Sequence, residues 1–251
     1  MFPIRDHNPS LSTPVVTYAL IAINILVFLT YLPMLGDEAR LTAFFERWAL
    51  IPARLSAGEG TLTLITSMFL HGGLLHIAGN VLFLWIFGDN LEDAFGQVKF
   101  LAFYLACGVV AALAQVIPDP GSLVPMVGAS GAIAGVMGGY LLLFPRARVD
   151  VMVILVVILR MIALPAWVML GLWFALQAVN SYSSFGLTDG GVAHLAHVGG
   201  FVAGVLLTLP YWLRSGGAAF WTRTHGAPPH APTFVSTERL TPIPRVPRRR
   251  R

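Results

Sequence analysis

The chain has 251 residues, of which 56% are apolar and only 11% are Asp, Glu, Lys or Arg, against about 25% in a soluble domain. At a mean hydropathy of +0.74, 16 basic and 12 acidic side chains cannot cover a soluble protein of this length. Composition therefore excludes an ordinary soluble enzyme, a disordered chain and, with a single cysteine, a disulfide scaffold, and the formal charge of +4 matters less than where its charges sit.

Residues 1–14 are a short N-terminal segment. Val15–Leu35 is the first run long enough to cross a bilayer, which takes about 20 mostly apolar residues. It lacks a small-residue cleavage site and exceeds a signal-peptide core, so it reads as a retained helix. Residues 36–60 are mixed, with Asp37, Glu38, Arg40, Glu46, Arg47, Arg54 and Glu59, and read as an extramembrane loop with amphipathic pieces such as Leu41–Leu50. Leu70–Phe87 is the second span, Phe100–Ile117 the third, and the short Ser130–Phe144 the fourth. Residues 151–162 are apolar but interrupted by Arg160, and read as an interfacial lead-in to a fifth span at Leu164–Ser181. Ala193–Leu213 is the sixth. The expected fold is an all-α membrane protein, a bundle of six transmembrane helices over residues 15–213. The tail, 214–251, is Pro-rich, ends in Arg248–Arg251 and is expected to be disordered.

Six spans put both termini on one side. That side carries Arg5, Lys99, Arg146, Arg148, Arg160 and eight arginines from Arg214 onward; the other carries Arg40, Arg47 and Arg54. The bias places both termini in the cytoplasm and the 36–60 loop outside. The basic tail then faces an anionic leaflet, and no nucleic-acid partner is expected.

Polar groups inside a membrane are expensive, and here the list is short: Asn24, His71, His76, Asn80, Gln115, Ser130, Gln177, Asn180, His194 and His197. His76 and Asn80, four residues apart, share a face of the second helix; His71 does not. The fourth span opens on Ser130 and carries Gly131, Gly135 and Gly139 at four-residue spacing, a stripe that lets helix backbones approach closely. The sixth carries Ala196, Gly200 and Gly204 at the same spacing, with His197 directly after the first. Taken singly, an interhelical clasp, a helix-capping serine and a satisfied buried histidine explain these residues. Depth joins them. The fourth span is only about 22 Å long against about 30 Å of hydrocarbon, so Ser130 lies below the outer surface, near the level of His197, His76 and Asn80. Chain that is not helical at such depth must line a cavity or be buried in protein. A serine with a histidine base, beside further donors for an oxyanion, is the equipment of acyl transfer. No carboxylate is in sight to orient His197, so the pattern is a dyad.

The same residues resemble those of rhomboid intramembrane serine proteases. The matching pieces are H-x-x-x-x-H-x-x-x-N at His71, His76 and Asn80, G-A-S-G at Gly128–Gly131, and A-H-x-x-G at Ala196–Gly200. Pro165–Gln177 resembles the fifth helix of bacterial members, and Gly88–Gly96 their loop after the second helix. The match covers about residues 12–213. It implies a six-helix rhomboid-like bundle in a bacterial cytoplasmic membrane, with Ser130 as nucleophile and His197 as general base. His76, Asn80 and the Ser130 N–H would line the oxyanion hole, with Gly128, Gly131 and His71 shaping the site. Substrates would be transmembrane proteins cut near the outer end of their helices, without metal or organic cofactor. Some members set an aromatic ring against the base four residues after the serine; here that position is Ala134. Phe83, Trp85, Trp167 and Trp173 read as lipid and packing contacts.

Three rivals remain. A zinc site would need ligand spacings that are missing, there being no H-E-x-x-H motif or acid beside these histidines. A non-catalytic rhomboid-like client binder would be expected to lack the serine or histidine. A transporter would be expected to show internal repeats, and none is evident. Oligomeric state and the identity of the substrate are not readable from the chain.

Overall fold

A computed structural model describes residues 2–155, 158–183 and 193–229. In chain order they form strand β1 (Phe2–Asp6), α1 (Val15–Tyr31), α2 (Glu38–Trp48), α3 (Pro52–Ser56), α4 (Thr63–Thr66), α5 (Leu74–Phe95), α6 (Gln97–Val116) and α7 (Ser130–Leu143). Strands β2 (Arg148–Leu155) and β3 (Ile158–Pro165), then α8 (Ala166–Ser183), α9 (His194–Arg214) and α10 (Ala218–Thr224), complete them. Helices α1, α5, α6, α7, α8 and α9 coincide with the six apolar runs of the sequence. Four, at Val15–Met34, Leu74–Phe95, Gln97–Val116 and His194–Arg214, are long and apolar enough to cross a membrane by themselves. Shorter α7 sits at the centre, with Ala132, Ala134, Val136, Met137 and Tyr140 all at most 1% exposed. The molecule is a multi-pass integral membrane protein.

Glycine sets the central packing. The Gly131 and Gly135 carbonyls lie where Cβ atoms on Gly200 and Gly204 would fall, so the two small-residue stripes face each other and α7 and α9 touch backbone to backbone. Cys107 of α6 fills the other side of Gly135 as a small, fully buried apolar group.

At its start α1 has only Pro14 as a cap, and α5 supplies the missing acceptor. Glu92 takes the Val16 and Thr17 backbone N–H groups at 2.9 and 2.8 Å, and the Thr17 hydroxyl at 2.8 Å. Neighbouring Asp93 accepts from the Leu11 and Ser12 N–H groups.

Three segments differ from the sequence expectation. Residues 151–155 and 158–162 are not an interfacial lead-in; they belong to a three-stranded antiparallel sheet in the order β1-β2-β3, added to the helical bundle. The run from Val149 is dense in β-branched residues, which favour a pleated strand. Val149 and Val151 are buried, and Asp150, between them, is buried as well and bonds to Arg5 of β1. The second helix runs Leu74–Phe95 rather than Leu70–Phe87: the Gly72–Gly73 pair interrupts its start, and Gly88–Gly96, expected as a loop, is helical up to Phe95. The tail is not disordered from 214: α9 runs to Arg214 and α10 folds back under the bundle. There the Trp221 indole donates to the Leu142 carbonyl at 2.8 Å and the Arg146 N–H to the Gly226 carbonyl. Residues 230–251, with Arg248–Arg251, lie outside the described residues. Sheet and α10 thus gather at the Leu143 end of α7, opposite Ser130.

Arg5 Nε donates to Asp150 Oδ2 at 2.8 Å, and His7 Nε2 stands 2.7 Å from Oδ1. These bonds hold the Asp150 carboxyl below the usual carboxylate range. A lowered folded value stabilises the native state above the unfolded value of about 3.9, and the stabilisation is lost as pH falls through the folded value. Asp150→Asn is expected to lower the melting midpoint at pH 7 by the equivalent of about 1 kcal/mol or less, Arg5 being largely exposed. Melting curves from pH 7 downward check this: the gap to wild type should close below about pH 4.

Candidate active site

Ser130 is the first residue of α7, so its backbone N–H belongs to the first turn and has no intrahelical partner. The chain arrives through Gly128, whose N–H donates to the Ser67 carbonyl at 2.9 Å. Its φ of +132° is one that residues with a Cβ rarely adopt. A Cβ here would stand 2.9 Å from His76 Nε2 and 3.4 Å from Ser130 Oγ. Glycine is what lets His76 and Ser130 share this corner.

His197, four residues into α9 and 8% exposed, brings Nε2 to 2.8 Å from Ser130 Oγ. The α7–α9 backbone contact makes this possible: Gly131, next to Ser130, and Gly200, one turn after His197, meet at the crossing. Beside the pair lies a cavity of about 40 Å³, lined in part by Met68, Gly108, Ala111, Gly128, Gly131 and Ala196. It has room for about two or three waters or one small side chain.

His76 is the third residue of α5, nearer the helix start than the sequence count from Leu70 implied. Its Nδ1 accepts the Gly72 N–H at 3.2 Å, so in the neutral ring Nε2 carries the proton. The nitrogen facing Gly128 is therefore a donor. Asn80, one turn on along the same helix, is buried with an Nδ2 that has no hydrogen-bond partner among the described residues. An unpaired buried donor is costly unless something accepts from it. His71 is fully buried, its ring 5.1 Å from that of His76. Tyr31 locks the backbone there: its hydroxyl accepts from the His71 N–H at 2.6 Å and donates to the His71 carbonyl at 3.0 Å.

Ser130, His197, His76, Gly128, Gly131 and the cavity thus meet in one place, with Asn80 a turn away on α5 and His71 behind His76. Two neighbours were given no part in the site by the sequence reading. Trp173 of α8, taken there for a lipid or packing residue, is partly buried with its ring 5.8 Å from the His197 ring. An aromatic ring, tilted by 37°, thus stands beside His197 although position 134 carries Ala. Gln177, one turn later, turns Oε1 to Nδ1 of both His197, at 3.0 Å, and His194, at 2.8 Å. Its polarity inside an apolar run was the signal. Trp173 left no such mark among the aromatics of α8. Among the described residues no three His, Cys, Asp or Glu gather closely enough to hold a metal ion.

Comparison with known proteins points the same way as the geometry. Residues 59–214 match the family model described as Rhomboid domain. The chain is 30% identical over 203 residues to Rhomboid protease GluP of Bacillus subtilis, covering 78% of this chain and 36% of that protein. It is 30% identical over 196 residues to Rhomboid protein 1, mitochondrial, of Saccharomyces cerevisiae, covering 75% and 51%. Over 146 residues it is 30% identical to the human Presenilin-associated rhomboid-like protein, mitochondrial, covering 57% and 36%. The chain thus spans about a third to a half of the length of these relatives.

Proposed function

This chain belongs to the rhomboid family, and from that premise we propose that it is an intramembrane serine endopeptidase that cuts transmembrane helices near their outer end. The observation that carries the proposal is the 2.8 Å contact between Ser130 Oγ and His197 Nε2 at the start of two helices packed backbone to backbone. Ser130 attacks the scissile carbonyl carbon while His197 Nε2 takes the hydroxyl proton. The oxyanion draws on the Ser130 N–H, the His76 Nε2–H and Asn80 Nδ2, all fixed before substrate arrives. His197 then passes its proton to the leaving amine. Water, activated by the same nitrogen, splits the acyl-enzyme.

A helical peptide bond is shielded from attack, so the substrate must unwind locally to reach Ser130. Gly and Pro lower that cost, and a cavity walled by Gly and Ala favours small side chains near the cut. Orientation follows from charge: Arg5, Arg146, Arg148, Arg214 and Arg223 lie toward the end that holds the sheet and α10, which is assigned to the cytoplasm of a bacterial cell, with Ser130 toward the outside.

The test is incubation of the purified chain with a single-span substrate in detergent or proteoliposomes, with product masses read out. A cut in the outer part of the span, present in wild type and lost in Ser130→Ala, is expected. An intact substrate that co-purifies with the protein would favour the non-catalytic client-binding reading. Within the proposal, Asn80→Ala is expected to lower kcat by about 10- to 1000-fold with KM little changed, since its donor is used mainly in the transition state. Unchanged steady-state kinetics would remove Asn80 from the oxyanion hole.

A further inference from the structure

The histidine that faces Ser130 has two ring nitrogens, and only one tautomer can act as a base. Neutral imidazole carries one N–H. For Nε2 to accept the Ser130 proton, the ring hydrogen must sit on Nδ1 and be held there. In a Ser-His-Asp site a buried carboxylate does this; here, among the described residues, the ring's hydrogen-bond partners are Gln177 and Ser130 and no carboxylate. Gln177 Oε1 lies 3.0 Å from His197 Nδ1 and 2.8 Å from His194 Nδ1. A carbonyl oxygen only accepts, and its two lone pairs serve two donors. Both histidines therefore present Nδ1–H to it, and His197 Nε2 is left with its lone pair toward Ser130 Oγ. Opposite the pocket, His76 takes the reverse tautomer, with the Gly72 N–H on Nδ1 and the hydrogen on Nε2. One histidine is set as acceptor and the other as donor, each by the partner on its far nitrogen.

We infer that Gln177 is the positioning residue of this site: its side-chain carbonyl, steadied by His194, fixes the His197 tautomer and ring orientation in place of a triad carboxylate. The inference rests on the serine-protease reading above. Gln177 touches neither Ser130 nor the cavity and acts only through His197. It also supports the imidazolium that forms when Ser130 attacks, more weakly than a charge would. Trp173, on the same helix, lies against the ring that Gln177 orients.

Two substitutions test it, assayed as full-length protein on one transmembrane substrate. Gln177→Leu removes the acceptor at similar size; kcat is expected to fall by about 10- to 100-fold with KM within about twofold, short of the roughly 10,000-fold loss that follows a wrong tautomer behind a buried carboxylate. Gln177→Glu keeps an acceptor and adds charge. It is expected to retain activity and to move the acid limb of the pH–rate profile upward by about one unit, because a carboxylate favours the charged ring. The other titratable groups acting on His197, His194 on its own helix and His76 on α5, are the same in both proteins. Wild-type kcat in Gln177→Leu, a Glu variant as slow as the Leu variant, or an unmoved acid limb would each overturn the inference. Should Gln177→Leu fail to fold, the Glu profile decides alone. A wild type that shows no Ser130-dependent cleavage takes down the protease reading and this inference with it, and is distinguished by the wild-type lane.

Discussion

Ser130→Ala and His197→Ala are each expected to lower the cleavage rate by at least about 10,000-fold while leaving the bundle folded. The two should cost nearly the same, and the double variant little more, because nucleophile and base act as a unit. The physical reason is the 2.8 Å contact: without His197 the hydroxyl has no base within reach, and without the hydroxyl the base has nothing to deprotonate. Ser130 loses only one oxygen, so Ser130→Ala should melt close to wild type, whereas His197→Ala removes a buried ring and should melt somewhat earlier. The measurement is labelling by a fluorophosphonate serine probe alongside substrate cleavage. Wild type should label and both variants should not. Equal labelling of all three would mean the probe reports another residue. A wild type that neither labels nor cuts would put the client-binding reading first.

How much of this was legible in the sequence depended on whether a residue announced itself along the chain or only across it. Ser130, His197, His76 and Asn80 stood out because polar groups are rare in apolar runs, and the four-residue spacing of Gly131, Gly135, Gly200 and Gly204 announced a close helix contact. Spacing also located the bundle helices to within a few residues, except the last two turns of α5, which read as a loop because Asp89, Glu92 and Asp93 break the apolar run. What failed were features settled by partners distant in sequence. The strands at Arg148–Leu155 and Ile158–Pro165 form an apolar run of helical length, and only pairing with Phe2–Asp6 shows it to be a sheet. Helix α10 looked like a Pro-rich tail because its anchors, the Leu142 carbonyl and the Phe144 ring, lie about 80 residues earlier. Gln177 was visible as a polar residue, but not its service to two histidines on the next helix. Trp173 could not be told from lipid-facing tryptophans such as Trp85, since α8 is apolar on nearly every face. One site residue, Gln177, was thus hidden behind the expectation that a base is oriented by a carboxylate or by nothing.

Gly204→Ala is expected to be the most destabilising methyl group that can be added to this protein, and Gly171→Ala its control. Both substitutions lie inside helices, where Ala is favoured over Gly by about 1 kcal/mol. At Gly171 on α8 nothing lies within 4 Å of the added carbon, so the helical preference should show as unchanged or slightly raised stability. At Gly204 the same carbon would fall on the Gly135 carbonyl, 2.6 Å from both its carbon and the adjoining Cα. Those atoms are backbone and cannot rotate away, so α7 and α9 must part along their whole crossing. The cost is expected to reach at least about 3 kcal/mol, reversing the sign that helix propensity predicts. Separation also carries function, because α7 holds Ser130 and α9 holds His197. A few tenths of an ångström at the crossing is enough to lengthen their hydrogen bond. Thermal unfolding in detergent beside probe labelling separates the two effects. Gly204→Ala should melt earlier and label weakly even below its melting point, and Gly171→Ala should match wild type in both. If Gly204→Ala melts and labels like wild type, the backbone contact does not hold the dyad together, and the stability of the site must come from α6 and α8 instead.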